Sequence, residues 1–136
     1  MVVGAGSRSP FTATAVQANG AVATGAEVAV SSLTVRLLQR MLLDAITVGF
    51  EETQITAIVG PTGCGETTLL RSVNRMHDHT LNMSVEGSIV INGTDVYGRD
   101  VNVRDLRRQV GMLFQRANPF PQSIEDNISI ALAPTA

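Results

Sequence analysis

Lysine is absent from this chain: all 10 of its basic residues are arginines. Any site that ordinarily relies on a lysine ammonium must work without one, and no neighbouring lysine can reach in as a substitute. Cysteine is nearly as scarce. The single Cys64 excludes an internal disulfide and fits a reducing compartment. Long apolar runs are missing too. No stretch approaches the ~20 residues needed to cross a bilayer, and no basic start followed by an unbroken apolar core marks a secretory leader. The expectation is a protein that is soluble, or at most peripheral to a membrane. There is no excess of positive charge either. A net charge of −2 argues against a nonspecific nucleic-acid binder, so no nucleic-acid partner is expected. Apolar periodicity is missing from Met1 to Ala26, where alanine, glycine, serine and threonine alternate irregularly. Such a segment does not repay its ordering entropy. Residues 1–26 are read as a flexible low-complexity tail, leaving 27–136 as one domain or part of one.

The remainder has strong local patterns. Glu27 to Leu37 alternates as a strand, with Val28 and Val30 on one face. The phase slips at Ser31-Ser32, which predicts a bulge or short break. Ile46, Val48 and Phe50 alternate in a second strand, and Glu51-Glu52-Thr53 makes the turn after it. Ile55 to Val59 is a nearly continuous apolar run, as expected of a strand buried on both faces. From Glu66 to about Met76 the period turns helical. Leu69, Val73 and Met76 share one face, with Arg71, Asn74 and Arg75 turned away. Val85 to Asn92 is a further strand, and Asn92-Gly93 before Val96 is a strong hairpin signal. Val103 to Arg108 reads as a short charged helix, and Val110 to Phe114 as another buried strand. Asn118-Pro119-Phe120-Pro121 is extended and rigid. Ser123-Ile124-Glu125-Asp126 is a capping box opening a last helix, cut short by Pro134. No internal repeat is present.

Between the third strand and the first helix lies Gly60-Pro61-Thr62-Gly63-Cys64-Gly65-Glu66-Thr67-Thr68. Strand, glycine-rich loop and helix together are the context of a phosphate-binding loop. The pattern GxxxxGK[ST] is met at Gly60, Gly65 and Thr67, but Glu66 stands in the lysine position. Successive backbone N–H groups running into a helix N-terminus make an anion cradle. Glycines at 60, 63 and 65 let that backbone close around phosphate oxygens. Thr67 offers a hydroxyl to Mg²⁺, and Thr68 another donor to phosphate. The lysine of an intact loop bridges the β- and γ-phosphates of a nucleotide. Reversing its charge swings the interaction by several kcal/mol, since two unit charges ~4 Å apart interact by about 4 kcal/mol at an effective dielectric of 20.

Other chemistry-bearing residues have plainer readings. His77 and His79, two apart in a loop, form a solvated pair rather than a metal site, which would need further ligands. Cys64 at the helix N-terminus is placed where a thiol is activated, but a small residue that fits the loop is the simpler reading. The methionines are gap-filling core. Arg104, Arg107 and Arg108 with Asp105 make a solvated charged face.

Beyond the loop itself, Gly60 to Gly65, Leu69-Leu70-Arg71 and Asn74-Arg75-Met76 resemble the ATP-binding subunits of ABC transporters. Val85-Glu86-Gly87, Ile91-Asn92-Gly93 and Asp95-Val96-Tyr97 resemble the next part of that domain. Leu106-Arg107-Arg108, Val110-Gly111-Met112 and Phe114-Gln115 resemble the approach to its Q-loop. Asn118-Pro119-Phe120-Pro121, Ser123-Ile124 and Asp126-Asn127 resemble one branch, the ATPases of phosphate importers. The resemblance runs from about Val28 to Ile130. It implies an α/β P-loop NTPase fold with an attached antiparallel β portion, incomplete at the C-terminus. It also implies ATP and Mg²⁺ as cofactors, with Gly60 to Thr68 around the phosphates and Gln115 touching the metal and the attacking water. The implied partners are transmembrane permease subunits, contacted near Asn118 to Ser123, and a second ATP-binding subunit. The implied location is cytoplasmic, peripheral on the inner face of the cell membrane.

The sequence departs from that family in three ways. Glu66 replaces the lysine. The aromatic residue that stacks on adenine has no counterpart near Arg36-Leu37, where Arg36 offers only its guanidinium plane. The LSGGQ signature, the Walker B aspartate with its catalytic glutamate, and the switch histidine are all absent, and Asp95, after an Asn-Gly turn, does not replace the aspartate. The expectations are therefore no hydrolysis by this polypeptide alone and marginal folding in isolation. Two alternatives stand beside the transport ATPase: a non-hydrolysing remnant or permease-docking module, and a small P-loop kinase. Gln115 followed by Asn-Pro-Phe-Pro speaks against the kinase.

Overall fold

The computed structural model describes residues 28–116 and 118–130; the expected tail over 1–26 and the Pro134 helix stop lie outside them. β1 (Val28–Leu37) and β2 (Arg40–Phe50) form a long hairpin, and α1 (Glu66–Val73) follows the glycine loop. Then come β3 (Met83–Ile91), β4 (Thr94–Asp95), α2 (Val103–Gln109) and α3 (Ile124–Ser129). The four strands make one antiparallel sheet in the order β2-β1-β3-β4.

The slip expected at Ser31-Ser32 is a bulge. The register between β1 and β2 jumps from Val30↔Val48 to Leu33↔Ile46, and Ser32 has φ 48. A bulge displaces backbone N–H groups from the ladder, and these must find other acceptors. Threonines on the facing strands supply them. Ser32 N–H donates to Thr47 Oγ1 and Ala45 N–H to Thr34 Oγ1, both at 3.0 Å. The extra residue returns Leu33 and Val35 to the core, where both are buried with Val30, Leu43, Ile46 and Ile89. The Asn92-Gly93 turn has both central residues at positive φ (48 and 78), the type I′ geometry that suits a two-residue hairpin. The turn at Leu38-Gln39 carries no such signal. Leu38 sits at φ 53, held by its N–H donating to Asn82 O at 2.9 Å.

Three expectations fail here. Ile55 to Val59 is not a strand, and Ile55 is fully exposed. Val110 to Phe114 is not a strand either, and Leu113 is 98% exposed. Both have the composition of doubly buried strands, but a strand is completed by lateral hydrogen bonds. Among the described residues no strand lies beside either segment. Finally, α1 ends at Val73 rather than near Met76. Arg75 enters the left-handed region at φ 56, its N–H donating to Ser72 O and the N–H of Met76 to Arg71 O. That is a Schellman ending, built on arginine where glycine is usual.

Arg75 is held in this conformation by its own side chain. It pairs with Asp78 at 2.9 Å, donates to Val96 O at 3.1 Å and lies 5.3 Å from the Tyr97 ring centroid. Asn74 and Arg75 therefore do not turn away from the protein: Asn74 is only 3% exposed. No helix among the described residues is long and apolar enough to cross a membrane.

Candidate nucleotide-binding loop

Every residue from Gly60 to Thr68 lines one concavity of about 400 Å³. The loop closes on itself through the Cys64 N–H, which donates to Pro61 O at 3.0 Å. Gly63 at φ 82 and Gly65 at φ 104 make the reversals that side-chain-bearing residues resist. At Gly60 the constraint is space, since a Cβ there would lie 2.5 Å from Cys64 Sγ. Cys64 is buried among the apolar core residues, in keeping with its reading as a small residue that fits the loop.

Gly65 caps α1 without a side-chain oxygen, and the first helical hydrogen bond runs from Leu69 N–H to Gly65 O. The N–H groups of Glu66, Thr67 and Thr68 thus have no intrahelical acceptor, as in any first turn. Here no capping side chain takes one either. Thr67 is exposed, its hydroxyl free to reach a ligand, and Thr68 is half-buried.

Glu66 does not swing into solvent. It is half-buried, its Oε1 3.5 Å from Cys64 Sγ, which donates to it, and 3.5 Å from where a Gly60 Cβ would stand. The carboxylate therefore lies back over the cradle. The partial positive charge of the helix N-terminus favours it there. The ion pairs among the described residues engage Arg36, Arg75 and Arg108, and none reaches Glu66.

The far end of α1 is secured by side chains whose roles were not evident in the sequence. Tyr97 Oη donates to Ser72 O at 3.0 Å. Arg107 donates through Nε to Asn74 O (3.2 Å) and through Nη2 to Arg75 O (2.7 Å). His77 is buried, not solvated: its Nε2 lies 3.0 Å from Thr68 O. A carbonyl can only accept, so Nε2 carries the proton. His79 is exposed, and no group of three or more His, Cys, Asp or Glu side chains among the described residues is placed to hold a metal ion. Arg107 likewise departs from the solvated face expected of it, whereas Arg104 and Arg108 are exposed. Burial pushes the Tyr97 phenol up to about 12, with Asp78 adding to the rise and Arg75 opposing it. It remains a donor throughout the physiological range. Charge near residue 107 was legible; that it would reach carbonyls 32 and 33 residues away was not.

The other expected site residues lie apart from the loop. Gln115 is exposed and does not line the concavity, and Arg36 is engaged by Glu86 at 2.9 Å. Asn118, Pro119, Phe120 and Pro121 line a separate shallow surface with Phe114 and Arg116. Asn127 gathers that segment, its Oδ1 accepting from Phe120 N–H and its Nδ2 donating to Phe120 O and Ser123 O. Ser123 caps α3, its Oγ accepting from Asp126 N–H at 3.0 Å.

The loop's uncapped amides suit phosphate oxygens, and the Thr67 hydroxyl is an oxygen donor of the kind Mg²⁺ accepts. Glu66 suits a cation and not a bare anion. Residues 43–135 match the ABC transporter family. Over 91 residues the chain is 47% identical to the phosphate import ATP-binding protein PstB of Thermotoga maritima, covering 67% of this chain and 36% of that protein. Over 94 residues it is 46% identical to the protein of the same name in Colwellia psychrerythraea, covering 69% and 34%. The chain spans about a third of the length of these curated relatives. On the phosphate-loop geometry and the extent of the match, the chain belongs to the ABC transporter family.

Proposed function

We propose that this chain is the phosphate-loop-bearing part of the ATP-binding subunit of an importer for inorganic phosphate. In that role Gly60 to Thr68 receive the triphosphate of ATP and Thr67 serves Mg²⁺, which Gln115 would reach only by moving from its place outside the concavity. The observation that carries the reading is the closed loop: three successive uncapped amides at the start of α1 facing one concavity. The PstB-type relatives support phosphate as the imported ion. The Asn118 to Ser123 surface would meet transmembrane permease subunits at the cytoplasmic face of the cell membrane, and a second ATP-binding subunit would complete the assembly. Bound nucleotide would be held by the amides, and the hydroxyl of Thr67 would orient the metal that neutralises the phosphates.

Titration of the chain with a fluorescent ATP analogue in excess Mg²⁺ tests this reading. Saturable binding that unlabelled Mg-ATP displaces is expected; no binding at millimolar nucleotide would reject it. A second reading, a permease-docking module without chemistry, is favoured by the surface gathered around Asn127. It predicts competition with an intact ATP-binding subunit for the permease whether or not nucleotide is present. Failure to compete would remove it.

A further inference from the structure

We propose that Glu66 makes the loop a receptor for cation–triphosphate complexes only, its carboxylate and the Thr67 hydroxyl being the side-chain oxygens that would hold a divalent ion brought in with the phosphates. The inference rests on nucleotide binding at this loop, as proposed above. Three observations lead to it. The carboxylate is folded over the cradle, Oε1 lying 3.5 Å from Cys64 Sγ, so an incoming phosphate meets it directly. Among the described residues no ion pair reaches it. The chain has no lysine, Arg36, Arg75 and Arg108 are paired elsewhere, and Arg107 is committed to the carbonyls of Asn74 and Arg75. Thr67, the next residue, is exposed and lines the same concavity.

With no metal present, Glu66 is the loop's own anion, tethered where the helix N-terminus favours negative charge. A free triphosphate must displace it, and then lies beside a negative charge in a half-buried site. A hard divalent ion reverses that relation, because carboxylate, hydroxyl and phosphate oxygens are all ligands it accepts. A lysine contributes its positive charge with or without metal. Glutamate contributes only through the ion.

The test is calorimetric titration of ATP into the chain and its Glu66→Gln and Glu66→Lys variants, each in excess Mg²⁺ and in EDTA. Circular dichroism of each variant checks that the sheet is retained. The wild-type chain should bind in Mg²⁺ and lose at least about tenfold in affinity in EDTA. The loss should be smaller for Glu66→Gln and smallest for Glu66→Lys. With Mn²⁺ in place of Mg²⁺, the electron paramagnetic resonance signal of Mn-ATP should broaden on binding to the wild-type chain and change less with Glu66→Gln. Equal metal dependence in all three proteins would overturn the inference and leave nucleotide binding intact. Binding by Glu66→Lys alone would overturn it too, by showing that glutamate merely blocks the loop. Binding by none of the three would remove the nucleotide reading, and this inference with it.

Discussion

The antiparallel sheet and the segments on either side of the α1 unit are equally rich in isoleucine, valine and leucine, but they treat those side chains in opposite ways. In the sheet, Val30, Leu33, Val35, Leu43 and Ile89 are buried. Along Ile55 to Val59 and Val110 to Phe114, Ile55, Val59, Leu113 and Phe114 are exposed. Composition does not separate the two regions; partners do. β1 has a neighbour on each side, and its irregularities are repaired by Thr34 and Thr47. The loop-flanking segments have no such neighbours among the described residues. Even so, the glycine loop between them closes, because its geometry comes from local bonds and from α1, which the sheet and the Tyr97 and Arg107 clamp hold in place.

The largest effect that would sharpen this contrast is a cavity in the sheet. Leu33→Ala, at a site 1% exposed, should cost about 2–5 kcal/mol and abolish the cooperative transition followed by far-ultraviolet circular dichroism. Arg107→Ala comes next. It leaves the carbonyls of Asn74 and Arg75 without their side-chain donor, for about 1–3 kcal/mol by urea denaturation. It should also speed amide exchange in α1 while sparing β1.

An alkaline titration tests the same clamp without mutation. The Tyr97 phenol is raised in the folded state, so its contribution is fully present below the ordinary phenol value near 10. That contribution is lost as pH rises toward about 12. Stability should fall across that window, and the fall should be shallower in Tyr97→Phe. The smallest effect is expected where the contrast is sharpest. Leu113→Ser removes an apolar side chain as large as Leu33 but should shift stability by no more than about 0.5 kcal/mol. Light scattering should show less self-association, because the segment exposes apolar surface and unpaired backbone.

What could be read from the sequence follows the same division. Signals that depend on one short stretch were legible: the slip at Ser31-Ser32, the Asn92-Gly93 turn, the Ser123 cap and the glycine spacing of the loop all appear as expected. Features that need a distant partner were not. An apolar run such as Ile55 to Val59 states what a buried strand looks like, and nothing in it states whether neighbours are present. The end of α1 comes before the last apolar position of its helical pattern because Arg75 adopts a glycine-like conformation, held by contacts with Asp78, Val96 and Tyr97. The burial of His77 is not legible locally because its acceptor, Thr68 O, belongs to the preceding helix. The identity at position 66 was plain; that its carboxylate turns inward was not.

Hydrogen exchange followed residue by residue in the whole chain tests the central contrast most directly. The amides of Val35 and Ile89 should be protected to the level of global unfolding, while those of Ala57 and Leu113 exchange at nearly the rate of an unstructured peptide. Comparable protection in both sets would contradict the account, by showing that the loop-flanking segments are paired in solution.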